Sequence, residues 1–84
     1  MVIEHFKPGA LPKVGERFRT SGRMLPPGAS YVASWLEPSG ARCFQLMEAE
    51  SPELLQTWAA HWGDLVDFEI IPVVTSAEFW AKAR

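Results

Sequence analysis

The chain has 84 residues, which makes one domain, and it is 48 % hydrophobic with four Trp and five Phe, more bulky apolar surface than one small core hides. Eight Lys and Arg against ten Asp and Glu leave a net charge of −2, which excludes a general attraction to nucleic acid or to an anionic membrane. A single cysteine, Cys43, cannot close an intramolecular disulfide, and no stretch reaches the roughly 20 apolar residues of a membrane span, so a cytoplasmic protein with residues 1–84 as its one domain is expected.

The opening "MVIEHF" is rich in β-branched and aromatic residues and stops at Lys7-Pro8-Gly9, which predicts a strand over residues 1–6. From Leu11 the period changes. Leu11, Val14, Phe18 and Leu25 share one side of a helix, with Lys13, Glu16, Arg17 and Thr20 on the other. Pro12 suits the first turn, Gly15 and Gly22 weaken the helix, and Pro26-Pro27-Gly28 stops it. Two strands follow, over residues 30–37 and 41–49, joined by the turn signal "PSG". Ser51 as N-cap, Pro52 at the first helical position and Glu53 in the first turn open a second helix, whose stripe is Leu54, Leu55, Trp58, Trp62 and Leu65. "VDFEIIPVV" alternates at its start and reads as a fourth strand. "TSAE" has capping-box spacing between Thr75 and Glu78 and opens a short last helix bearing Phe79 and Trp80.

The order βαββαβ plus a terminal helix predicts an α+β, ferredoxin-like sandwich: a four-stranded antiparallel sheet with two helices on one face. The other face of the sheet is left open. If "PSG" is a three-residue loop, Trp35 faces Cys43, Ala33 faces Gln45 and Tyr31 faces Met47. The complementary pairs Leu36–Arg42, Ser34–Phe44 and Val32–Leu46 hold most of the aliphatic bulk and should meet the helices. Tyr31, Ala33, Trp35, Cys43, Gln45 and Met47 are then expected on the open face. In the fourth strand Val66, Phe68 and Ile70 should face the helices, which places Asp67, Glu69 and Ile71 on the open side. Either Glu4 or His5 joins them, and pattern alone does not choose.

The segments "MVIEHFK", "GRMLPPG", "YVASW", "RCFQLMEA" and "LVDFEIIPVVTSAEFW" resemble a bacterial domain-of-unknown-function family, number 3303, over nearly the whole chain. The resemblance lends no catalytic residues. It implies a relation to the dimeric α/β-barrel proteins, in which two ferredoxin-like subunits pack their open sheet faces together. In those proteins a cavity between sheet and helices can hold a small ligand.

His5 and His61 are the two side chains that titrate near neutrality without perturbation. His5 on the open face could pair with Asp67 or Glu69 as an oriented general base, whereas the ordinary reading is a hydrogen-bonded strand histidine. His61, beside the Trp stripe, reads as a helix-surface residue. Cys43 would need a lowered pKa to act as a nucleophile, and a free strand cysteine is usually a small buried hydrophobe. Arg17, Arg19 and Arg23, with Arg42, could clamp an anion, against the ordinary reading of a solvated cationic helix face. Metal-ligand spacing, a phosphate loop and the signature of an RNA-recognition sheet are all missing.

The candidate ligand-binding set is therefore Glu4, His5, Tyr31, Trp35, Cys43, Gln45, Met47, Asp67 and Glu69. The expected protein is a homodimer with a small-molecule cavity on the open sheet face and no cofactor or metal. Its enzymatic form would run cofactor-free chemistry at His5 or Glu4 together with Gln45, Asp67 and Glu69. The alternative is a structural or regulatory dimer whose aromatic face is packed solid.

Overall fold

The computed structural model describes residues 1–82. Its elements are β1 (Val2–Phe6), α1 (Leu11–Ser21), β2 (Ala29–Leu36), β3 (Arg42–Ala49), α2 (Pro52–Ala60), β4 (Val66–Ile70) and α3 (Ser76–Lys82). The strands form one antiparallel sheet in the order β2-β3-β1-β4, which is the ferredoxin-like α+β arrangement. α1 ends earlier than its apolar period suggests. The Gly22 N–H closes on the Phe18 carbonyl at 2.8 Å with Gly22 at φ 65°, so Leu25 lies in the loop beyond.

The core lies between the sheet and α2. Val2 is fully buried, and Trp58, Trp62, Leu65, Val66 and Met47 are buried around it. The Trp58 ring meets Phe68 of β4 edge to face, with centroids 5.3 Å apart. α1 has no buried residue.

The faces of the central hairpin differ from the expected ones. The turn contains four residues, 38–41, closed by Glu37 N–H to the Arg42 carbonyl at 3.0 Å. Leu36 therefore pairs with Cys43, Trp35 with Phe44 and Ser34 with Gln45, one position away from the expected register. A slip of one residue exchanges the faces of one arm, because side chains alternate. Cys43, Gln45 and Met47 are thus buried on the helix side, while Arg42, Phe44 and Leu46 fall on the open side. A bulge between Tyr31 and Ala33 restores the pairing of Tyr31 with Met47 and turns Tyr31 to the helix side as well. Ala33 and Trp35 remain on the open face, where Trp35 is 55 % exposed. In β1 the choice left open by the sequence falls to His5, which stands opposite Arg42 and Asp67, while Glu4 turns toward the helices.

Beyond β4 the pairing continues for one residue, Ile71 N–H to the Met1 carbonyl at 2.8 Å, and Pro72 then frees the chain. α3 follows, capped by Thr75 Oγ1, which accepts from the Glu78 N–H at 3.0 Å. This arm buries none of its large apolar side chains, with Phe79 55 % and Trp80 65 % exposed. It gives the molecule a radius of gyration of 14.1 Å, against about 12 Å for a compact chain of this length.

Candidate functional site

Glu4, Phe6, Ser34, Leu36, Cys43, Gln45, Val66 and Phe68 rise from the helix side of the sheet to line one cavity. Leu11, Val14, Gly15 and Phe18 of α1 roof it, and Trp58 and Trp62 form its wall toward α2. The cleft has a volume of about 360 Å³ and opens to solvent on one side, within the range of small-molecule pockets. Its mouth is apolar, since Leu11, Phe18 and Leu36 are 43 %, 43 % and 62 % exposed.

The roof is fastened at its edges. Arg17 forms a two-pronged pair with Asp64, 2.8 and 2.7 Å, and its Nη1 also donates to the His61 carbonyl at 3.0 Å. The same guanidinium lies 5.5 Å over the Trp62 ring. This hydrogen-bonded pair drives the Asp64 carboxyl down to about 2. At the far end of α1, the Arg23 carbonyl accepts both indole N–H groups, Trp58 at 2.8 Å and Trp62 at 3.1 Å. Met24 follows with φ 60°, a left-handed conformation that costs a non-glycine residue about 1 kcal/mol or more and is maintained here by the paired indoles.

Inside, the polar groups are few. Glu4 stands opposite Cys43 across the β1–β3 ladder and opposite Phe68 across the β1–β4 ladder. Among the described residues its carboxylate has no hydrogen-bond or ion-pair partner within bonding distance, and its oxygens keep some contact with solvent. Burial raises it from 4.5 to about 7, against the opposing pull of Arg23. Burial likewise pushes the Cys43 thiol up to about 11, with the Glu4 charge adding to the effect, so the thiol stays protonated at neutral pH. Gln45, buried beside them, donates through Nε2 to Met47 Sδ at 3.1 Å. Ser34 shares a 2.8 Å hydrogen bond with the Tyr31 hydroxyl.

The nine sequence candidates thus separate. Glu4, Cys43 and Gln45 converge in the cavity, with Tyr31 and Met47 directly behind them. His5, Trp35, Asp67 and Glu69 lie across the sheet. There His5 Nε2 meets Glu69 Oε1 at 2.7 Å, an exposed pair on the outer surface. Sequence reasoning missed Arg23 as a cavity residue, because it was counted on a helix that has already ended. The signal that could have found it is "SGRMLPPG", where Gly22 marks the break. The cavity's walls, Val14, Phe18, Trp58 and Phe68, were read as core, and their spacing cannot tell core from pocket lining.

Among the described residues no group of three or more His, Cys, Asp or Glu is placed to hold a metal ion, and no helix is long and apolar enough to cross a membrane. A model of the family described as domain of unknown function (DUF3303) matches residues 1–84. No curated protein and no solved structure matches the chain.

Proposed function

The chain belongs to that family of domains of unknown function, a membership that assigns no activity, and we propose that it is a small-molecule-binding protein whose ligand sits between the sheet and α1. The observation that carries this reading is an apolar cavity of about 360 Å³ with an unpartnered carboxyl, Glu4, on its floor. A half-open apolar cleft of this size under a helix is the kind of concave, mostly apolar space in which small ligands bind. The ligand's apolar body would lie against Trp58, Phe68, Val14 and Phe18, and its polar end would meet Glu4 and Gln45. Because Glu4 titrates near neutrality, it could also accept or return a proton, so any chemistry in this cavity centres on Glu4. His5, Asp67 and Glu69 are outside it. A direct test is titration of isotope-labelled protein with 3-phenylpropan-1-ol. Saturable shifts confined to Glu4, Val14, Cys43, Gln45 and the Trp58 indole are expected. The absence of a saturable response there would overturn the reading.

A homodimer is part of the same proposal. The open face presents Ile3, Ala33, Trp35, Phe44 and Leu46, and the arm adds Ile71, Val73, Val74, Phe79 and Trp80, the last five between 41 % and 65 % exposed. A helix of seven residues is too short to persist alone in water and needs an apolar surface to lie on. A second copy offers one, because a two-fold contact uses each patch twice. Light scattering should give twice the 9.4 kDa chain mass, and Trp35→Glu should halve it. Wild-type protein at the single-chain mass would sink the assembly. A cytoplasmic setting completes the proposal and rests on the lone thiol of Cys43.

A further inference from the structure

The cavity contains one cationic side chain, Arg23, and its situation differs from that of Arg17 and Arg42, while Arg19 is exposed on α1 outside the cavity. Arg17 and Arg42 each grip a carboxylate with two N–H groups, on Asp64 and Glu37. Among the described residues the Arg23 guanidinium has no such partner. It lies instead over aromatic rings, with its carbon 3.6 Å from the Tyr31 centroid and 5.1 Å from the Phe18 centroid. Stacking occupies the faces of a guanidinium and leaves its N–H donors free around the rim. Arg23 lines the cavity, and the two indole bonds to its carbonyl fix the backbone from which the guanidinium extends.

We infer that the ligand is a small apolar carboxylic acid bound as its anion, with Arg23 receiving the carboxylate and Glu4 beside it. This rests on the cavity being the binding site. A half-buried cation without a counter-charge is unfavourable, and a ligand anion supplies what the protein withholds. Glu4 does not neutralise Arg23 in slightly acidic solution, since burial keeps much of it protonated. In that form its O–H can donate to the ligand carboxylate, as can the Gln45 amide. An aliphatic or aromatic tail would then lie on Trp58, Phe68 and Val14, where the lining offers no polar partner.

The charged and titratable groups that face Glu4 are Arg23, from the loop after α1, and Cys43, from β3. β4 contributes Phe68 and α2 contributes Trp58, neither of which titrates in this range. The pH dependence of anion binding should therefore follow Glu4 alone. An ionised Glu4 repels the ligand, so binding draws a proton onto it, and affinity should fall as pH rises through about 7.

The experiment compares 3-phenylpropionate with 3-phenylpropan-1-ol, which share a tail, by quenching of Trp58 and Trp62 fluorescence and by calorimetry in two buffers of different ionisation enthalpy. At about pH 6 the carboxylate should bind at least about tenfold more tightly than the alcohol, the scale of one charged hydrogen bond. Its advantage should shrink above about pH 8, and its heat should report proton uptake. Arg23→Gln should erase the preference by weakening the carboxylate rather than by tightening the alcohol. Arg23→Lys should keep part of it, and Glu4→Gln should remove the pH dependence. If the alcohol binds as well as the carboxylate, the anion inference falls and the cavity stands. If neither binds the folded wild-type protein, both fall together.

Discussion

Two helices of similar length lie over the same side of one sheet, and they are packed differently. α2 drives Trp58 into the sheet until only 2 % of it is exposed, and Trp62 follows at 5 %. α1, with 11 residues against nine, buries no residue. The cause is legible on the inward side of each helix. α2 seats an indole in its last turn, and α1 has on its cavity side Gly15, with no heavy atom within 4 Å of where its Cβ would be. Glycine puts no side chain into the space under α1, which Leu11, Val14 and Phe18 line without filling. The space is kept open because α1 is fastened at its rim, by Arg17 to Asp64 and by the two indoles to the Arg23 carbonyl. One helix thus supplies the stability and the other roofs the cavity.

The largest expected effects test that division. Trp58→Ala should cost about 3–5 kcal/mol, most of what a chain of this size possesses, because it removes a packed ring and an indole hydrogen bond together. Phe18→Ala, on a side chain 43 % exposed, should cost less than about 1 kcal/mol by the same denaturant titration. Equal losses would mean that α1 is as much a part of the core as α2.

Next in size is Glu4, whose burial opposes folding. The unfolded chain releases this proton near 4.5 and the folded chain near 7, so between those values the folded state holds more protons. Stability must then fall as pH rises through that window, by an amount on the order of 3 kcal/mol at most. Glu4→Gln should therefore raise the denaturation midpoint above about pH 8 and leave it unchanged below about pH 4. A variant that is equally stabilised or destabilised at both ends would show that the carboxyl is not held in an apolar setting.

The elements were legible in the sequence because their punctuation is local. Pro12 and Pro52 sit where helices start, Gly22 where one stops, and Thr75 where the last is capped. The faces of β3 were not legible. Cys43, Gln45 and Met47 alternate with Phe44 and Leu46, so both sides of this central strand are apolar and its period points neither way. The turn length decided the matter, and it differs by one residue from the three suggested by "PSG". Glu4 was a candidate for its chemistry, but its setting emerged only with the fold, since carboxylate and cavity come together through β1 pairing with both β3 and β4. Arg23 was visible as one of several cations, and what distinguishes it, a place in the cavity lining without a carboxylate partner, is a property of three-dimensional neighbours.

The rim fastening can be released without touching the core. Arg17→Gln removes the pair to Asp64 and the bond to the His61 carbonyl, so amide hydrogens of α1 should exchange faster while those of α2 and the sheet do not. Acid should act in the same direction on the wild-type chain. Asp64 is held at about 2 in the fold and its ordinary value is 3.8, so this support is full above that value and is lost as pH falls through about 2. Uniform acceleration across both helices would contradict a separable roof.

Gly15→Ala is the smallest change and the most specific to α1. A methyl there meets open space, and alanine in a helix interior is favoured over glycine by roughly 0.5–1 kcal/mol. The variant should gain about that much in a denaturant titration and slow exchange in α1 alone. A fully packed helix interface would give the opposite sign, because an added methyl forces neighbours apart. The sign of this one substitution therefore reports whether the space under α1 exists in solution.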